Sequence, residues 1–136
     1  MPSVRSIRRL GAACLIVPCL DHLISPILTM LFAPMIMEAM FGKGFLAAAA
    51  FFIVLGAFQL AWIRVLLKSN NSSLLILGVL GNLLSIFIYF ISASGVTIFG
   101  VPPQPLISFG VPIKALEALF VLASLYVLKA LQAERD

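Results

Sequence analysis

The sequence predicts an all-α integral membrane protein, a four-helix bundle formed by a single domain of 136 residues. Hydrophobic residues make up 62% of the chain and charged residues only 10%, whereas a soluble domain carries about a quarter charged residues. Four apolar runs are each long enough for a helix of about 20 residues, which crosses a hydrocarbon core of about 30 Å. The connections between these runs leave no room for a soluble domain.

The first predicted span covers residues 10–31 and contains Pro18 and Pro26. Membrane helices tolerate internal prolines when neighbouring groups satisfy the freed carbonyls, so we expect this span to bend there. Basic residues precede it, as in a signal peptide, but no small-residue cleavage site follows. We therefore expect the first span to be retained.

Residues 32–43 are apolar but include Glu38 and are too short to cross a membrane again, which predicts an interfacial segment. The second span, residues 44–67, places Trp62 close to the surface opposite that segment. The third span covers residues 74–94, and its small residues permit close approach of another helix. These small residues are Gly78, Gly81 and Ser85.

Residues 95–110 form a connector whose three prolines, at positions 102, 103 and 105, prevent a continuous helix. We expect this outer connector to lie at the interface or to fold over the bundle, because exposed backbone is not stable in hydrocarbon. The fourth span covers residues 111–131 and carries Lys114 and Glu117. These two side chains are three residues apart, so they can pair on one helix face, and Lys114 can extend to the nearby outer surface.

Two amides are predicted to meet between the second and third spans. Gln59 and Asn82 both lie about 12 Å from the same surface, on antiparallel helices joined by a short turn. A hydrogen bond between them is expected, and such bonds between membrane helices commonly stabilise the structure. We interpret Gln59, Asn82 and Lys114 as structural polar contacts.

Asp21 and His22 are adjacent ionisable residues near the middle of the first span. Such groups inside a membrane face the bundle interior or a wet cavity and often mark a functional site. We expect Asp21 and Glu117 to face the interior, with Asp21 the more important because it is deeper. The candidate functional residues are therefore Asp21, His22 and Glu117, although a purely structural role for Asp21 and His22 stays open.

The distribution of lysine and arginine predicts the orientation. With the N-terminus inside, seven of the nine basic residues lie on the cytoplasmic side and two, Lys43 and Lys114, lie outside. Cytoplasmic loops carry the excess of basic residues, so both termini are predicted to be cytoplasmic in the cell membrane. Because these residues stand singly at span ends, they indicate contact with lipid and no binding of nucleic acid.

The inventory of side chains excludes several kinds of site. One histidine cannot form a bis-histidine haem or a typical histidine-based zinc site. Thioethers suit Cu(I), but methionine is also an ordinary apolar residue, which we favour for the methionines after the first span. These are Met30, Met35, Met37 and Met40. With no phosphate-binding or nucleophile motif either, we expect a non-catalytic protein without a cofactor.

The second half contains the patterns GAFQLAWIRVLL, LGVLGNLLSIFIYFISASGVTIFG, VPPQP and IKALEALFVLASLYVL. Across about residues 55–128 these resemble a group of small archaeal polytopic membrane proteins, with Gln59, Trp62, Asn82 and Glu117 among the matching positions. The resemblance implies a membrane architecture. It also associates the chain with an accessory role in a membrane oxidase or monooxygenase, such as archaeal ammonia monooxygenase.

Two functional classes remain. The first and preferred one is a non-catalytic accessory or scaffold subunit of a larger membrane complex, because the chain has little mass outside the membrane and few polar groups within it. The alternative is a small ion- or proton-coupled carrier that works as a homodimer, with Asp21, His22 and Glu117 along the pathway. Unlike partners after gentle purification would favour the subunit, and a lone dimer would favour the carrier.

The predicted orientation is testable by cysteine labelling of intact cells, after replacement of the two native cysteines. A cysteine placed in the Ser69–Ser73 turn should resist a membrane-impermeant thiol reagent because that turn is cytoplasmic, whereas a cysteine at Gly100 should react. Labelling of the turn in unbroken cells would show that the orientation is the opposite of the predicted one.

Overall fold

The computed structural model describes residues 3–32, 34–41, 45–96 and 110–134, and within these ranges the chain forms five helices. They are α1 (Val4–Phe32), α2 (Pro34–Phe41), α3 (Phe45–Lys68), α4 (Ser72–Ala93) and α5 (Gly110–Ala133). All but α2 are long and apolar enough to cross a membrane. The predicted all-α bundle is therefore confirmed. Most of the predicted connector, residues 97–109, lies outside the described part of the chain.

The four long helices alternate in direction around the bundle. Helix α1 packs against α3 and α5, and α4 packs against the same two helices. The first turns of α1 therefore lie beside the last turns of α5, which we call the terminal end of the bundle. Apolar side chains from all four helices form a continuous core. Its members are Leu15, Leu55, Trp62, Leu66, Leu75, Val79, Phe120, Val121, Val127, Leu128 and Leu131.

Local capping sets several helix ends. Helix α1 begins at Val4, before the predicted span, and the hydroxyl of Ser3 accepts a hydrogen bond from the Ser6 N–H at 3.2 Å. The Asn71 side chain caps α4 by accepting from the N–H groups of Ser73 and Leu74. At the other end of α4, Gly95 has a φ of 96°, a left-handed conformation that glycine adopts without a steric cost.

Trp62 is buried between α3 and α4, about two turns from the end of α3. Its indole ring packs over Gly78 and Gly81, and a Cβ atom built on Gly81 would lie 2.1 Å from the ring. The predicted small-residue face of α4 therefore accommodates an aromatic side chain and not only a helix backbone. Any larger residue at Gly81 would force this ring to move.

Arg8 closes the terminal end of the bundle. Its guanidinium donates to the carbonyl oxygens of Leu66 and Ser69, at 2.8 and 2.7 Å, and to the side-chain oxygen of Asn70 at 2.8 Å. The last carbonyls of a helix have no partner within the helix, so Arg8 satisfies groups at the end of α3. In the sequence, Arg8 contributes only to the orientation signal, because the acceptors of its guanidinium lie about sixty residues away along the chain.

We expect Arg8→Gln to lower the free energy of unfolding by about 2 kcal/mol, because a charged donor to three acceptors is lost. Arg9→Gln is the matched control, since Arg9 is exposed on the same helix, and it should change stability by less than about 0.5 kcal/mol. Unfolding followed by circular dichroism in mixed micelles measures both. Equal effects would show that the Arg8 contacts add nothing beyond a surface charge.

Candidate functional site

Polar side chains from all four long helices meet inside the bundle. We call this group the buried polar cluster, and its members are His22, Gln59, Asn82, Ser85, Lys114 and Glu117. Asn82 lies about 15 Å from either end of α4 at the helical rise of about 1.5 Å per residue. The cluster therefore lies near mid-depth of a bundle that crosses the membrane.

Gln59 is the residue that connects the helices. Its Nε2 donates to Asn82 Oδ1 at 3.2 Å and to Glu117 Oε1 at 2.9 Å, and its Oε1 lies 2.8 Å from His22 Nδ1. The predicted bond between Gln59 and Asn82 is thus confirmed, but it is one part of a larger network. Asn82 also donates from Nδ2 to the Gly78 carbonyl of its own helix at 2.9 Å.

Glu117 and Lys114 form a fully enclosed ion pair. The Lys114 Nζ lies 3.0 Å from each carboxylate oxygen of Glu117 and 2.9 Å from the Ser85 hydroxyl, which it contacts as a donor. Ser85 in turn donates to Glu117 Oε1 at 3.3 Å. The ammonium group also lies 5.7 Å from the centre of the Tyr89 ring, within the range of a cation–π contact.

The predicted pairing of Lys114 with Glu117 is confirmed, but the expectation that Lys114 extends to the outer surface is wrong. Lys114 is only 6% exposed because its ammonium group turns inward to Ser85 and Glu117. The two acceptors lie on different helices, so the side chain is held in the interior. The spacing of residues along α5 predicted Glu117 as a partner of Lys114. It could not predict Ser85, because that residue belongs to α4.

His22 is the α1 residue that enters the cluster. Its ring stacks on Phe52 with centroids 5.5 Å apart, and Nδ1 lies 3.8 Å from Glu117 Oε1. The Gln59 amide donates to two oxygen acceptors, so its own oxygen must face His22. Nδ1 is therefore the protonated nitrogen of the neutral ring, and Nε2 carries the lone pair.

Asp21 does not join the cluster, contrary to the expectation that it faces the bundle interior. Its side chain is half-buried, and Oδ1 accepts a hydrogen bond from Ser25 of the same helix at 2.8 Å. Adjacent helical residues point about 100° apart, so only one of the two could face Gln59, and that residue is His22.

Ser85 and Tyr89 were not recognised as site residues from the sequence. Both lie on the face of α4 that contains Asn82, at spacings of three and seven residues. That periodicity was the available signal, because residues so spaced share one side of a helix. Serine and tyrosine are ordinary in membrane helices, however, so this spacing alone does not indicate a site. The contacts of Ser85 and Tyr89 with Lys114 are what identify them.

The ionisable side chains of the buried polar cluster are one imidazole, one carboxylate and one ammonium group. Among the described residues, no group of three or more histidine, cysteine, aspartate or glutamate side chains could hold a metal ion. The side chains of Met37 and Met40 lie outside the described part of the chain, so the methionine interpretation stays a prediction. Every polar group of Glu117 and Lys114 already has a partner within the bundle.

Comparison with known proteins adds no relative: no family model, no curated protein and no solved structure matches this chain. The resemblance to small archaeal membrane proteins therefore stays a prediction. The site is interpreted from its own geometry.

We expect the ion pair to behave as one energetic unit. Lys114→Met and Glu117→Gln should each lower the free energy of unfolding by about 3–5 kcal/mol, because each leaves an uncompensated buried charge. The double variant should lose at least about 2 kcal/mol less than the sum of the single losses. Unfolding in mixed micelles measures all three variants.

The matched control for this cycle is Lys129→Met, which removes an exposed lysine from the same helix and should leave stability nearly unchanged. Strictly additive losses for Lys114 and Glu117 would contradict the pairing.

Proposed function

We propose that this protein is a non-catalytic subunit of a larger membrane assembly and that it binds an unlike partner helix along one face of α1. It would lie in the cell membrane with both termini cytoplasmic, as the distribution of basic residues predicts. The observation that carries the proposal is the partly exposed carboxylate of Asp21 on a largely apolar outer surface of α1.

The depth of Asp21 in the membrane follows from the contacts of the adjacent residue, His22. His22 reaches Gln59, and Gln59 reaches Asn82 near the middle of α4. Asp21 therefore lies at mid-depth, where an aspartate facing lipid costs about 2.5–3.5 kcal/mol. Four of the exposed residues around it are apolar and suited to lipid. They are Val17, Leu20, Ile24 and Leu28.

Asp21 continues into a short polar face of α1. Ser25 and Thr29 follow at intervals of four residues, and we call these three residues the Asp21 stripe. Ser25 is exposed, and Thr29 Oγ1 donates to its backbone carbonyl at 2.5 Å. Asp21 Oδ1 accepts a hydrogen bond from the Ser25 hydroxyl, and the carboxylate retains lone pairs for donors from another chain.

The charge of Asp21 favours an unlike partner over a second copy of this chain. In a two-fold symmetric dimer that meets at the stripe, Asp21 would approach Asp21, and like charges in a membrane interior repel strongly. A partner helix that presents arginine, lysine or an amide at this depth supplies the missing donors. An unlike partner of this kind is consistent with an accessory subunit. The resemblance to small archaeal membrane proteins favours an oxidase or monooxygenase as the assembly.

Photo-crosslinking in native membranes tests the proposal. A photoreactive amino acid at Ser25 should form an adduct with an unlike membrane protein, and the attachment site should map to a transmembrane segment with a donor side chain. Asp21→Leu should abolish the adduct, whereas Asp21→Asn should retain it because the amide oxygen still accepts hydrogen bonds. The matched position is Leu122, exposed on α5, which should not give that adduct.

Glu38→Leu serves as the control variant, since it removes an exposed carboxylate from α2 and should leave the adduct unchanged. An adduct of this chain only with itself would favour the homodimeric carrier. An unlike adduct that persists in Asp21→Leu would show that another surface holds the partner.

A further inference from the structure

We propose that Nε2 of His22 is a proton-binding site within the membrane and that Asp21 neutralises the imidazolium formed there. The ligand is a proton, and the site comprises the His22 ring, the Gln59 amide that orients it and the two nearby carboxylates. This inference does not depend on the proposed role as a subunit.

The charges around His22 carry the first part of the argument. From α5 the ring faces Lys114 and Glu117, whose opposite charges compensate each other at 3.0 Å. From α3 and α4 the described contacts bring neutral groups only, the Gln59 amide and the polar side chains next to it. On α1 itself Asp21 adds one carboxylate. With a neutral imidazole these groups sum to one negative charge, and with a proton on His22 they sum to zero.

The low exposure of the site makes the free-energy difference between these two charge states large. Glu117 is fully buried and His22 is 4% exposed, so water screens their charges weakly. An uncompensated charge in a membrane interior is unfavourable, and uptake of one proton removes it. His22 is the residue best suited to accept that proton, because imidazole changes its charge near neutral pH.

The hydrogen bonds determine where the proton binds. Nδ1 already carries hydrogen and donates it to Gln59 Oε1 at 2.8 Å. The lone pair is on Nε2, so the incoming proton forms an N–H bond there and no existing hydrogen bond breaks. The cation then has Glu117 Oε1 at 3.8 Å from Nδ1 and the Phe52 ring stacked against its face. The hydrogen bonds of Nδ1 and of the Gln59 amide therefore stay the same in either charge state.

Pro26 supplies a second feature of the site. It follows His22 by four residues and has no N–H, so the His22 carbonyl oxygen lacks its usual helical donor. That carbonyl oxygen can accept a hydrogen bond from water, which a proton needs to reach a buried nitrogen.

The single histidine makes a direct test possible, because ¹⁵N-histidine labelling gives signals from His22 alone. In nanodiscs of phosphatidylcholine, solid-state NMR at about pH 9 should show the neutral tautomer with hydrogen on Nδ1. Lowering the pH to about 5 should convert it to the imidazolium by protonation of Nε2. A neutral ring with hydrogen on Nε2, or a ring that stays neutral throughout, would overturn the proposal.

Asp21→Asn tests the neutralising role, and it should fold because Asp21 is half-exposed and asparagine still accepts from Ser25. Loss of this charge should weaken proton binding to His22 at least about tenfold, seen as a lower midpoint pH. Glu38→Gln removes a carboxylate from α2 and should leave the midpoint unchanged. Equal shifts of the midpoint in the two variants would show that Asp21 does not neutralise the imidazolium. A shift in Asp21→Asn alone would support that role.

Discussion

The buried carboxylate of Glu117 is the constraint on which the rest of the bundle depends. A charged group without water needs several donors, and here they come from three helices: Gln59 on α3, Ser85 on α4 and Lys114 on α5. Each donor must lie at the depth of the carboxylate and face it. The heights and rotations of the three helices are therefore coupled, and Gln59 extends that coupling to α1 through His22.

The terminal end of the bundle is held by different means. There the interior is apolar, Trp62 packs over the glycines of α4, and Arg8 satisfies the carbonyls where α3 ends. Apolar packing specifies registry weakly in a membrane, because lipid is also apolar. The directional contacts of Arg8 and of the buried polar cluster specify it at two levels, and the apolar core fills the space between them.

The ionisable residues of the membrane interior divide into two groups. Lys114 and Glu117 are enclosed and mutually compensated, which suits a role in maintaining the fold. Asp21 is partly exposed, and no cation among the described residues forms an ion pair with it. Its charge therefore requires either a partner chain outside the bundle or a proton on His22 inside it. The two adjacent residues of α1 thus connect the outer surface of the protein to its interior, and both proposals arise from that position.

The sequence by itself determined the architecture and the pairs that depend on distance along the chain. Hydropathy and length were sufficient for the four spans, because a bilayer demands about 20 apolar residues per crossing. Lys114 and Glu117 are close through helix geometry, and Gln59 and Asn82 are close through a short turn at equal depth. Their contacts could therefore be predicted.

Only the tertiary structure decided which face of each helix is inside. Apolar residues occur on every face of α1, so no pattern distinguished the direction of His22 from that of Asp21. The inward turn of Lys114 depends on Ser85, which belongs to another helix. The contacts of Arg8 depend on a turn some sixty residues away. These outcomes are rotations about helix axes and contacts between distant segments, and neither leaves a local signal in a predominantly apolar sequence.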